Sequence, residues 1–321
     1  MSTTPVESTS IPAQLEAAPD LASMVNQGWG LHAKEPDRVA KALEARVDSI
    51  PPDPTGAGAL QLAEHVCLSH LGDTARLERF LAALPAAVTT SEACAGSLRK
   101  SRWVLTMASA SPSPGSPSGL PVEPTDAPVD RLRWAGMQNL WSLWIRAGRA
   151  HDALAMLAQE LPRALGEPDT AARRNLASTC NNIAGDLREG VRGNQDNDRL
   201  MLALADASLQ LWTSAGTWVN AERAEYQLGR CHAVLGDGAT ALRHAEACLS
   251  GVEAHRGEPE ANAFELFFAH EAVVYAARAA NDPARVAQHL ERMRSYLAEV
   301  DDAELKPWCQ EALDEVQKQI G

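Results

Sequence analysis

The sequence predicts an all-α chain of antiparallel helix pairs stacked in a row. Three observations predict it. Ala, Leu, Glu and Arg dominate the composition, while β-branched runs bounded by turns are nearly absent. Repeatedly, a helix ends at Gly or a similar turn residue and a second apolar helix starts directly after it. That turn residue is followed at the fifth and ninth positions by apolar side chains, a spacing that puts both on one helix face.

Taken in order, residues 1–20 run through Ser, Thr and Pro with no cationic start and apolar core, which predicts a disordered N-terminus and no secretory signal. Helical repeats are expected over 21–108, where Lys34 is followed by Val39 and Leu43, and Gly72 by Leu77 and Leu81. A helix over 93–107 then meets 109–128, a segment with six Pro and five Ser that reads as a semi-rigid linker or, alternatively, a hinge or recognition tape. Helix 129–147 is expected to pair with 150–165 through Gly148, Ala153 and Leu157, which leaves 93–107 without an obvious partner. Leu176–Glu189 breaks at Gly190 and Gly193 and returns as Leu200–Trp212. The clearest copies follow. Leu228 to Asp237 continues to Ala241 and Ala245, and Val273 to Ala280 passes through Asn281, Asp282 and Pro283 to Val286 and Leu290. Repeats thus fill 129–300, and 301–321 reads as a polar-faced capping helix carrying Leu305, Trp308, Leu313 and Val316.

These copies resemble the tetratricopeptide repeat family, with Leu228, Gly229, Gly236, Ala241 and Ala245 at its apolar, small and turn positions and Pro51 where its second helix often closes. The resemblance covers roughly Leu21 to Leu297 and is most specific over 222–297. It departs from the family in short turn-to-turn separations of 38 and 45 residues instead of 34, in Glu64 and Asn26 at usually apolar places, and in Trp141 for a small residue. A HEAT or armadillo type of α-solenoid, with longer units, is the alternative.

The resemblance implies a right-handed α-solenoid whose first helices line a concave face that holds a protein or peptide. Carried onto this chain, the inward positions are Asn181, Arg188, Arg223, Tyr226, Arg230, Phe268, Glu271, Tyr275 and Arg278. Four arginines and two tyrosines would make a basic, aromatic patch suited to an acidic or C-terminal peptide segment. The other reading is an ordinary solvated face with i,i+4 pairs, Glu222 with Tyr226 and Arg223 with Gln227. The family's two-carboxylate clamp for chaperone tails needs Lys and Asn at matching inward places, which this chain lacks.

Acidic residues outnumber basic ones 42 to 29, a net charge of −13, which argues against nucleic acid as a partner. No stretch reaches the ~18–20 apolar residues of a membrane span. The six cysteines, with no CxxC pair, read as buried thiols of a reducing, cytoplasmic protein. Metal pairs stop at two ligands, His244 with Cys248 and Cys67 with His70, and His270-Glu271 meets Val274 where a zincin helix needs its second His. Gly28-Trp29-Gly30 lacks the third glycine of a dinucleotide site and reads as a place of close helix packing. The expected function is therefore a non-catalytic protein- or peptide-binding scaffold without a cofactor or metal. The alternative is a regulatory domain that senses a small molecule in a cavity lined by Trp141, Trp144 and Trp212.

Overall fold

At four of the five turns the residue that recurs in the sequence is a left-handed helix cap, and Lys34 is the exception. Gly72, Gly148, Gly236 and Asn281 adopt φ of 66°, 72°, 78° and 56°, a region open to Gly and tolerated by Asn. At three of these turns the next residue is an Asp whose carboxylate accepts the first amides of the returning helix: Asp73 from Arg76, Asp237 from Thr240 and Asp282 from Arg285. One two-residue device thus ends one helix and starts the next. Most of the apolar residues five and nine positions on are buried, among them Val39, Leu43, Leu77, Ala153, Leu157, Ala241, Ala245 and Val286.

The computed structural model of the chain describes residues 15–110 and 129–320, and among them fifteen α-helices and no strand. Two compact units are present, divided between Arg149 and Ala150.

The N-terminal unit contains α1 (Leu21–Leu31), α2 (Pro36–Glu44), α3 (Pro54–His65), a π turn (Val66–His70), α4 (Thr74–Ala82), the short α5 (Ala86–Thr89), α6 (Glu92–Ser109) and α7 (Asp130–Arg146). The α3–π segment is its centre. Leu60, Leu62, Val66 and Leu68 are fully buried there, and α1, α2, α4, α6 and α7 pack around the segment. The helix near 93–107, without an obvious partner in the sequence, packs against α7. The two helices approach closely at Gly136, where a Cβ would lie 3.1 Å from Lys100 and Val104 and 3.2 Å from Trp103, and Trp134, Trp141 and Trp144 of α7 are buried, as are Trp103 and Met107 of α6. Of the 1–20 segment expected to be disordered, 1–14 lies outside the described residues. The remainder is packed: Leu15 and Ala18 are buried, and Arg46 donates to the carbonyls of Glu16 and Ala18. Nearly all of the expected 109–128 linker, residues 111–128, also lies outside the described residues.

The C-terminal unit is more regular. It contains α8 (Ala150–Gly166), α9 (Thr170–Glu189), α10 (Gln195–Ala215), α11 (Trp218–Val234), α12 (Gly238–Ala254), α13 (Ala263–Ala279), α14 (Pro283–Glu299) and α15 (Lys306–Ile320). The pairs are α9 with α10, α11 with α12 and α13 with α14, while α8 packs on α10. Successive first helices α9, α11 and α13 lie side by side, and α15 covers α13 and α14. Gly238 starts α12 so close to the end of α13 in the following pair that a Cβ there would lie 2.4 Å from the Ala280 backbone. Asp302 closes the turn that leads into the terminal helix by accepting from the amides of Glu304 and Leu305, and the helix buries Cys309, Leu313 and Val316. Trp308, expected among its packing residues, is 62% exposed because the helix turns Cys309 inward instead.

Candidate functional site

The face formed by α9, α11 and α13 carries the residues placed inward from the sequence, and several of them meet. Arg230 on α11 is buried with its guanidinium 3.6 Å from the ring centre of Tyr275 on α13. Its Nη1 donates to the Tyr226 hydroxyl at 2.6 Å and to Glu271 Oε2 at 3.0 Å, and the same hydroxyl donates to Glu271 at 2.5 Å. Burial works against the charge of Arg230, and Tyr226 and Glu271 more than offset it, so the pKa is raised. Burial pushes the Tyr226 phenol up as well, so this hydroxyl stays a donor to the carboxylate. Phe268 meets Tyr226 edge to face at 6.2 Å.

The other positions are also engaged within the chain. Arg188 on α9 donates to Gln227 at 2.6 Å and to its neighbour Glu189. Arg223 pairs with Glu265 on α13, and Arg278 donates to Gln319 on α15 at 2.9 Å. Asn181 sits half-buried on α9. The intrahelical pairs weighed in the sequence give way to contacts between helices: Arg223 reaches Glu265 instead of Gln227, and Glu222 turns from Tyr226 to Cys248, whose thiol donates to it at 2.8 Å. Burial raises the Glu222 carboxyl to about 7. The pair His244 and Cys248 is likewise split, since His244 faces Glu225 at 2.7 Å.

Sequence reading missed a second constellation, in the N-terminal unit. His32, His65 and His70 are each half-buried, and one ring nitrogen of each lies within 4.8 Å of the others. The π turn is what brings His65 and His70 together. Five residues apart on an α-helix they would diverge by about 140°. Here the Leu71 amide bonds to the Val66 carbonyl, the wider turn restores one face, and the two Nε2 atoms lie 3.2 Å apart. His32 follows α1 and enters from the side, with the Trp29 ring 5.3 Å from its own and 5.4 Å from that of His65. Gly28 in the same stretch does mark close packing, its missing Cβ 2.6 Å from Leu62, whereas Gly30 faces open space.

Behind the imidazoles runs a buried polar chain. Glu64, fully buried, accepts from Ser101 at 2.6 Å and from Asn139 Nδ2 at 2.6 Å and lies 3.4 Å from the Lys100 ammonium. Because its amide nitrogen is spent on Glu64, Asn139 turns Oδ1 toward His65 Nδ1 at 3.0 Å and accepts from Ser69 at 2.8 Å. Burial lowers the His65 pKa to about 4, so the ring is neutral at neutral pH. The signal available in the sequence was Glu64 itself, a carboxylate at a position where the repeat wants an apolar residue. Cys67, paired with His70 in the sequence reading, is buried away from this cluster, and burial raises its thiol to about 12.

Trp141 and Trp144 are buried in the N-terminal unit, and Trp212 belongs to the C-terminal one. Trp144 also lines an open pocket of about 450 Å³ with Leu71, Arg146 and Arg149. Comparison with known proteins finds no family model and no curated protein that matches this chain. No helix among the described residues is long and apolar enough to cross a membrane.

Proposed function

We propose that residues 150–320 form a right-handed α-solenoid of tetratricopeptide type and that the face of α9, α11 and α13 holds an extended peptide segment of a protein partner. The observation that carries this reading is the Arg230 network. It bridges α11 and α13 and leaves the Tyr226, Phe268 and Tyr275 rings partly exposed, a stiff amphipathic platform of the kind that serves as a binding hot spot. Each of Arg188, Arg223, Arg230 and Arg278 meets an acid or amide of its own chain. Recognition therefore rests on aromatic and main-chain contacts more than on attraction of an acidic segment. The role is presentation without catalysis, and six free, buried thiols support a reducing compartment such as the cytoplasm.

A photo-crosslinking residue placed at Phe268 or Tyr275 of the full chain tests this in native lysate. The expected result is a discrete adduct from both positions, lost on Tyr226→Ala, and none from the exposed control position Trp308. Equal adducts from all three positions would place binding elsewhere. A second reading, a small-molecule regulatory domain, draws on the pocket beside Trp144; a metabolite that raises the melting temperature of wild type but not of Arg149→Ala favours it.

A further inference from the structure

The imidazole cluster is built from its outer contacts inward, and for His32 and His65 those contacts determine which nitrogen faces the centre. We propose that His32, His65 and His70 form a Zn2+ site with a fourth position left to solvent. His65 must donate from Nδ1, because the Asn139 atom it meets is an oxygen oriented by Glu64. His32 likewise donates from Nδ1 to the carbonyl of Trp29. Both rings therefore hold an Nε2 lone pair free of its proton, the ligating form, and His70, whose Nε2 meets that of His65, ligates once its proton moves to Nδ1.

With no ion, His70 Nε2 donates to the His65 Nε2 lone pair; a cation at the centre takes the place of that proton and leaves all three Nε2 lone pairs turned to one point. The separation fits such an ion. Ligands at 2.0–2.1 Å from a tetrahedral ion are about 3.3 Å apart, and His65 Nε2 and His70 Nε2 are 3.2 Å apart. The three ring centres lie 4.9 to 5.1 Å from one another, so a small rotation of His32 closes the triangle. Three neutral imidazoles without a carboxylate suit a borderline late divalent ion and not Mg2+ or Ca2+, which prefer oxygen. Carbonyl oxygens on the far nitrogens of His32 and His65, and a carboxylate one step behind His65, are the outer partners that orient metal-bound histidines and raise their basicity. The ion would tie the end of α1 to the π turn at the centre of the unit, and half-buried rings beside Trp29 leave it a way in.

The test uses the untagged full-length chain, stripped of metal. Titration with ZnCl2 by calorimetry and with CoCl2 by visible absorption should show one ion per chain, with the d–d bands of four-coordinate Co2+. His32→Gln and His70→Gln should each weaken Zn2+ binding by at least ~100-fold at unchanged helicity. Asn139→Ala should weaken it by ~10–100-fold at unchanged stoichiometry. Cys67→Ala should bind as wild type does. Absence of one-to-one binding overturns the proposal. So does wild-type affinity in His32→Gln and His70→Gln, and loss of binding in Cys67→Ala would overturn this donor set.

Discussion

Glu64 in the N-terminal unit and Glu271 in the C-terminal unit are both buried carboxylates in helix cores, each met by a cation from another helix, Lys100 at 3.4 Å and Arg230 at 3.0 Å. What lies beyond them differs. The network of Glu271 closes on itself through Tyr226 and Arg230 and staples two neighbouring first helices. That of Glu64 runs on through Asn139 and ends in three imidazoles around one point. A buried charge pair can serve as a joint or as the base of a donor set, and the surrounding backbone selects between them: regular pairs in one unit, a π turn in the other.

The largest expected effects break either pair. Glu64→Ala should cost about 3–5 kcal/mol, because Lys100 and Asn139 are left buried without their acceptor. Hydrogen exchange should then lose protection in α3, α6 and α7 while α13 keeps its own; Glu271→Ala should give the reverse pattern at similar cost. A uniform loss along the chain would mean that the units are not separable in this way.

Next in size are two pH effects within the C-terminal unit. Glu222 has its folded pKa raised to about 7 against an ordinary 4.5, so its contribution is complete below the ordinary value and is lost as pH rises through 7. Glu222→Gln should therefore raise stability at pH 8 by about 3 kcal/mol and leave it unchanged near pH 4, read from urea midpoints. His270 runs the other way. Burial, reinforced by His289 at 2.9 Å, lowers it to about 4, so stability is present above pH 6.5 and lost as pH falls through 4. His270→Gln should flatten that acid limb by about 2–3 kcal/mol.

Smaller effects concern the packing of the backbone. Gly238→Ala drives a methyl into the Ala280 backbone and should lower stability by about 1–3 kcal/mol. Gly30→Ala meets nothing within 4 Å on helix α1 and should raise it by about 0.5–1 kcal/mol, measured by thermal melting.

Much of the fold was legible because its signals are local. Gly236-Asp237 and Asn281-Asp282 announce a left-handed cap and an N-cap in adjacent residues, and the apolar residues that follow report a buried face. The placement of Tyr226, Arg230, Glu271 and Tyr275 on one face was legible for the same reason, since counting along regular helices keeps register. Their mutual satisfaction was not, because Arg230 to Glu271 spans 41 positions and depends on how two helices lie together. Helix 93–107 showed no partner for a related reason: α7, on which it packs, lies beyond a Pro- and Ser-rich segment.

The sequence by itself determined the helices, their caps and the pairing of α9 through α14, because hydrogen bonds within a turn and periodic burial are decided over a few residues. Only the tertiary structure decided that α6 packs on α7, that the arginines of the C-terminal face are spent on their own chain, and that His32, His65 and His70 converge. Those outcomes turn on a π turn that changes the helical period by one residue and on a carboxylate whose partners come from two other helices. Neither is written in any single stretch of the chain.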